Sequence, residues 1–162
     1  RSLPEYRSLN AELIEEDAKL KLYEDINIGL AVNTDDRLVV PTVYATDDRS
    51  IRELTAEIDR LAATARDGSL AYDELQNGTF TVSNAGQLGA YINTPRINPP
   101  QTAILGICTI FDDPGIVDGE VVPRKKMHLC LTYDHRVIEG ATAVAFLQSV
   151  KADLEMPERL LS

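Results

Sequence analysis

A chain of 162 residues, 44% of them apolar and 26% charged, is sized for one domain with a hydrophobic core. Its formal net charge of -10 repels phosphate backbones and argues against a nucleic-acid partner; an anionic small substrate would need locally basic side chains or backbone N–H groups. No apolar run is long enough to span a membrane, so no membrane partner is expected, and two cysteines are too few for a disulfide framework.

The chain starts at Arg1, not Met, with no leader pattern, and reads as a fragment of something longer. Pro4 suits a first helical turn, and Leu9, Leu13 and Ile14 share a helical face, so the spacing predicts a helix over 3–16. Leu20 and Leu22 alternate with lysines as in a strand. Ile26, Ile28, Leu30 and Val32 alternate strictly, and a polar turn at 33–36 leads to a further strand over 38–43, which together predict a hairpin. Ser50 and Glu53 form a capping box for a helix whose inner face is Ile51, Leu54, Ile58, Leu61 and Ala65, with Gly68 as its stop.

Asn77-Gly78 is a turn before a strand over 79–83, and a Gly- and Asn-rich loop follows from 84 to 93. Pro95, Pro99 and Pro100 keep the next stretch extended. Two strands are predicted over 102–111 and 125–133, with a turn region at 112–119 between them. A last helix opens at Glu139 or Gly140, buries Val144, Leu147, Val150 and Leu154, and stops at Pro157. Mixed strands and helices on this scale indicate an α/β or α+β layered fold. Cys108 and Cys130 both fall in apolar strands and read as small buried hydrophobes in a reducing, cytoplasmic compartment, or in the mitochondrial matrix of a eukaryote. His128 and Cys130 share a strand face, but no zinc spacing is present and no metal is expected.

Two segments carry chemistry. His135 sits between a strand and a helix, where rigid elements present reactive side chains, and its unperturbed pKa of about 6.5 suits proton transfer near neutral pH. A single His at such a place is usually a surface or structural residue. Glu139 lies four residues on and could orient the ring or a nearby loop. Ser83 ends a strand ahead of Asn84-Ala85-Gly86, where its hydroxyl could donate to a developing oxyanion or simply close its own turn.

Taken in order, the segments resemble the catalytic domain of the dihydrolipoyl acyltransferases of 2-oxo acid dehydrogenase complexes. The resemblance rests on Ile26-Asn27-Ile28-Gly29-Leu30-Ala31-Val32 with Leu38-Val39-Val40-Pro41, on Gly78 to Gly86, on Ile97 to Gly106, and on Asp134-His135-Arg136 ending in Gly140. Pro157 to Leu161 also resembles the family's C-terminal Pro-x-x-Leu-Leu. The resembling segments run over nearly all of the chain, which reads as one core-forming acyltransferase domain over residues 1–162. It implies that an N-terminal part of that domain, the lipoyl module and the subunit-binding module lie outside this sequence.

The resemblance implies a chloramphenicol acetyltransferase-like mixed sheet with helices packed on it, and trimers with the active site between neighbours. It matches His135 to the base that deprotonates the thiol of coenzyme A or of the dihydrolipoyl group, and Ser83 to the oxyanion donor on the adjacent subunit. Asn84, Gly86 and Arg96 are assigned to substrate contact. Asp134, Arg136 and Gly140 are assigned structural roles, with Asp134 as the ion-pair partner that lets Arg136 anchor the loop. Glu139 departs from the family's usual Asp or Asn; the site either repacks around the extra methylene or loses activity.

Coenzyme A would be a substrate, the lipoyl group would arrive on a separate lipoyl domain, and dehydrogenase subunits would attach through the modules outside this sequence. The stretch 94–101 looks nearer the succinyl branch, with Arg96 available for a distal carboxylate, while acetyl transfer stays open. Leu160 and Leu161 resemble the apolar knob that joins trimers into cages. Two other readings stand beside this one: a core scaffold that transfers no acyl group, and a free-standing acetyltransferase acting on a small molecule.

Overall fold

The computed structural model describes residues 1–160; Leu161 of the expected knob lies outside the described residues. Its strands are β1 (Ala11–Ile14), β2 (Lys19–Leu22), β3 (Ile28–Asn33), β4 (Leu38–Val39), β5 (Thr42–Val43), β6 (Phe80–Asn84), β7 (Ala103–Val117) and β8 (Glu120–Tyr133). Its helices are α1 (Ile51–Asp67) and α2 (Gly140–Glu155). The main sheet runs β4-β3-β6-β7-β8, with β5 on the same side of β3 as β4, and β1-β2 is a separate hairpin. The central pairs β3·β6 and β6·β7 are parallel and β7·β8 is antiparallel, so the sheet is mixed as expected.

Alternation along these strands divides the sheet into two faces. Phe80, Ala103 and Leu105 lie on one face, where Phe146 and Ala143 of α2 cover them. The Phe146 ring meets Phe80 and Tyr6 edge-on, each with a 5.8 Å centroid separation. Thr81, Ser83, Gly106 and Cys130 point to the opposite face.

Helix α1 forms as its sequence dictates. Ser50 accepts from the Glu53 N–H, the Glu53 carboxylate accepts from the Ser50 N–H, and Gly68 ends the helix in the left-handed region at φ 75°. Of its expected inner face only Leu61 and Ala65 are buried, while Ile51 and Ile58 are exposed.

Four expectations are corrected. Residues 3–16 are not a helix: a 3-10 turn at Arg7–Leu9 gives way to β1, which pairs with β2. Asn10 marks the break, its side-chain amide donating to the carbonyls of Tyr23 and Asp25 and so tying the segment to the stretch that follows β2. Apolar residues at a spacing of four over so short a stretch fit a turn plus a strand as well as a helix. The single strand over 38–43 is divided into β4 and β5, with Pro41 between them lacking an N–H but still accepting from the Leu30 N–H.

Residues 112–119 are not a turn region. β7 and β8 continue as a two-stranded arm to a turn at Asp118-Gly119, where φ is 51° and 87°. Positive φ at both central residues is the hairpin geometry that matches strand twist. Along the arm Pro114 faces Pro123, and Lys125 and Lys126 pair with Asp112 and Asp113. On α2, Val144 and Leu154 are 58% and 51% exposed, and the buried stripe is instead Ala143 and Phe146, with Leu147 and Val150 packed beside it. The large ring at 146 fixes which face turns inward.

Candidate active site

The turn that carries His135 is held from three directions. The Asp134 N–H donates to the Thr102 carbonyl at 2.8 Å, joining the end of β8 to the start of β7. The Asp134 carbonyl accepts from the N–H groups of Val137 and Ile138, and Ile138 is buried in the core. Glu139 then takes up extended backbone as the N-cap of α2, its carbonyl accepting from the Ala143 N–H. Gly140 begins the helix beneath the Tyr133 hydroxyl, which would lie 3.7 Å from a Cβ placed there.

Within the turn, Arg136 donates from Nε and Nη2 to both carboxylate oxygens of Asp134 at 2.7–3.1 Å. Its Nη1 donates to Glu15 in the β1-β2 turn at 2.8 Å. The hydrogen bonds from Arg136 hold the Asp134 carboxyl below the usual carboxylate range. His135 itself is exposed, its ring centroid 5.4 Å from that of Tyr133. The side chain of Glu139 makes no capping hydrogen bond with α2.

Ser83 is half-buried near the end of β6, between Ala31 of β3 and Gly106 of β7. It is Asn84 that closes the following turn, its Oδ1 accepting from the Gly86 N–H at 3.0 Å. Gly86 is pressed against β7: a Cβ there would lie 2.3 Å from the Cys108 carbonyl oxygen. The Ala85 N–H donates to Ile107 and the Thr109 N–H to Ala90, so the segment after Ser83 is laced onto β7. Asn93 and Pro95 lie over Gly106, and Arg96 follows directly, exposed.

These two clusters are not adjacent within one chain. Ser83 aligns with Gly106, and Gly106 with Cys130, so Ser83 sits two strands from a residue that is itself five positions short of His135. Strand spacing and rise put the two side chains on the order of 20 Å apart. A groove of about 780 Å³ lies between the arm and α2, bordered by Met127, Leu129, Leu147 and Lys151, and contains neither residue. Among the described residues no group of three His, Cys, Asp or Glu is placed to hold a metal ion; His128 Nδ1 lies 3.1 Å from the Tyr91 carbonyl instead. The Tyr133 ring beside His135 and the Glu15 partner of Arg136 were not singled out from sequence. The first had a signal, since Tyr133 precedes the His motif by one residue of strand; the second, 121 positions away, had none.

Comparison with known proteins adds a family model described as 2-oxoacid dehydrogenases acyltransferase (catalytic domain), which matches residues 1–162. A dihydrolipoyllysine-residue succinyltransferase component of the 2-oxoglutarate dehydrogenase complex from Bartonella vinsonii subsp. berkhoffii is 46% identical over 160 residues, which cover 99% of this chain and 38% of that protein. The dihydrolipoamide acetyltransferase of Azotobacter vinelandii is similar in structure, with a TM-score of 0.92 and 36% identity over 99% of this chain and 66% of that one. A chloramphenicol acetyltransferase aligns with a TM-score of 0.54 at 14% identity and shares the fold alone. The chain thus spans well under half the length of the curated relative and about two thirds of the solved acetyltransferase chain.

Proposed function

The chain belongs to the catalytic-domain family of the 2-oxoacid dehydrogenase acyltransferases, and on that footing we propose that it moves an acyl group between coenzyme A and a dihydrolipoyl thiol within the core of a 2-oxo acid dehydrogenase complex. The observation that carries this reading is the whole-chain family match, with His135 presented on a turn that α2, β7 and the Asp134–Arg136 pair all hold. His135 takes the proton of the attacking thiol, because the thiolate is the nucleophile and a free thiol near pKa 8.5 is mostly protonated at neutral pH. The thiolate adds to the thioester carbonyl, and the Ser83 hydroxyl donates to the oxyanion. Collapse breaks the old carbon–sulfur bond, and the departing thiolate recovers the proton from His135.

Because Ser83 and His135 are far apart in one chain, the complete site is proposed to form between neighbours in a homotrimer. The lipoyl group comes on its own domain, and Leu160 with Leu161 joins trimers into a larger core; the solved cubic core of a pyruvate dehydrogenase complex is a structural relative of this chain. For the acyl group we favour succinyl over acetyl. The Bartonella relative is a succinyltransferase component, and Arg96 stands exposed beside the segment that covers Gly106, where a distal carboxylate could be met.

The test is transfer from succinyl- and acetyl-coenzyme A to dihydrolipoamide, with and without His135→Asn. Turnover with succinyl donor that falls by ~10²–10⁴ in the variant supports the reading. Trimers without transfer to dihydrolipoamide would leave the scaffold reading, and product with a small hydroxylated acceptor alone would leave the free-standing acetyltransferase.

A further inference from the structure

Cys108 of β7 and Cys130 of β8 lie in adjoining strands with their Sγ atoms 3.7 Å apart, and both are free thiols. The strand register explains how they meet. Cys130 is opposed to Gly106, which fills none of the space on that row, and the pairing slips between Ile107 and Ile110, so Cys108 has no opposed residue of its own. A bulge of this kind leaves one strand locally free of the ladder, which is where two sulfurs can close from van der Waals contact to the ~2.05 Å of a bond.

The two thiols are unequal. Cys108 is 2% exposed and Cys130 is half-buried, so an external reagent reaches Cys130 first. Burial pushes the Cys108 thiol up, and its hydrogen bond with Cys130 adds to this. Cys108 is therefore a poor first nucleophile, suited to resolve a bond already formed on its neighbour.

We propose that Cys108 and Cys130 are a redox-active dithiol, a site of reversible modification by small organic disulfides. The Cys130 thiolate attacks one sulfur of the oxidant, forms a mixed disulfide and releases one thiol, which carries the proton that Cys130 lost. The Cys108 sulfur, giving its proton to solvent, then attacks Cys130 Sγ and breaks the mixed bond. The second thiolate leaves and is protonated. Two protein thiols are oxidised, and one external disulfide is reduced to two thiols.

The backbone around Cys108 is also the surface on which the segment after Ser83 rests: Gly86 lies against Cys108 itself, the Ala85 N–H donates to the Ile107 carbonyl, and the Ala90 carbonyl accepts from the Thr109 N–H. A shift of β7 on bond closure is thus passed to that segment. The dithiol stands on strand geometry alone and survives a failure of the acyl-transfer reading.

Incubation of the protein with glutathione disulfide, followed by alkylation of free thiols and tryptic mapping without reductant, decides the matter. The expected product is peptide 97–124 linked to peptide 127–136, with two thiols lost per chain and regained with dithiothreitol. Cys130→Ala and Cys108→Ala should each abolish the linked peptide. Glutathione remaining on Cys130 beside an alkylated Cys108, or both thiols alkylated after exposure to excess oxidant, would overturn the proposal. The wild-type map is decisive by itself, so poor folding of either variant does not blur the result.

Discussion

Ser83 and His135 stand at different ends of the sheet: Ser83 is level with Cys130, and the β8 chain runs five more residues before it reaches His135. Alternation also places Ser83 on the face away from α2, whereas Tyr133, two residues before His135, points to the α2 side. This separation is why the proposed mechanism draws the two residues from different copies of the chain. In the proposed mechanism the two become one site only when a second copy supplies the missing half.

Complementation follows from that separation. Ser83→Ala and His135→Asn should each be nearly inactive, the first by roughly 3 kcal/mol of transition-state stabilisation. If the trimers are refolded from an equal mixture, a working site needs an intact His from one subunit and an intact Ser from the next. Random assortment then restores about a quarter of wild-type turnover. Steady-state rates on the co-refolded mixture check this, and a mixture no more active than its parts would place the site within one chain.

Glu139 can be tested by shortening it. It is the N-cap of α2 with extended backbone, φ -78° and ψ 147°, yet its side chain makes no capping bond. Asp reaches the first-turn N–H groups more readily, so Glu139→Asp should stabilise the fold by about 0.5–1 kcal/mol. Turnover should change by less than about tenfold, since the turn around His135 is fixed by other contacts. Thermal melts and kcat measured on the same samples separate the two effects; a rise of a hundredfold or more would show that the natural residue impairs the site.

The pH dependence of stability carries the mark of Asp134. Its carboxyl is held below the usual range, first by the side-chain hydrogen bonds from Arg136. A carboxyl with a depressed folded pKa binds fewer protons in the native state than in the unfolded state. Its stabilising effect is therefore fully present above the unfolded value near 3.9 and is lost as pH falls through the folded one. Melting temperature should drop on acidification below about pH 4, and Asp134→Asn should flatten that part of the curve. An equal slope in the two proteins would show that Arg136 gains nothing from the carboxylate.

Local signals were legible in the sequence and long-range ones were not. Ser50, Glu53 and Gly68 delimit α1 because capping chemistry acts within four residues. Asp118-Gly119 was an equally local hairpin signal, masked because Asp112-Asp113-Pro114-Gly115 reads as a turn in its own right. Those residues stay in strands because each has a partner on β8, and pairing across an arm is not written into either strand alone. The motif around His135 and the turn after Ser83 could be picked out by order and residue type. The distance between them could not, because register decides it. The same holds for Arg136 and Glu15, which meet only because β1 forms where a helix was expected and pairs with β2 as a hairpin.

Gly86 shows how closely the segment after Ser83 is fitted to β7. Its assignment to substrate contact rested on its place in the motif, but the structure gives it a packing reason as well. A Cβ would lie 2.3 Å from the carbonyl oxygen of Cys108 and 2.8 Å from the nitrogen of Thr109, both backbone atoms that cannot turn aside as a flexible side chain would. Gly86→Ala must therefore push the 85–90 segment off β7, straining the bonds from Ala85 to Ile107 and from Thr109 to Ala90. The cost should be about 1–3 kcal/mol, as for other overpacked sites. Gly89→Ala makes a useful contrast, because its Cβ would meet nothing within 4 Å and its penalty comes only from φ of 83°. If Ser83 depends on that segment for its position, Gly86→Ala should lower kcat beyond what its stability loss explains, while Gly89→Ala should lower stability with kcat nearly kept. Denaturant midpoints and turnover at a temperature where both variants are folded measure the two quantities, and equal kcat in both variants would free Ser83 from dependence on the turn.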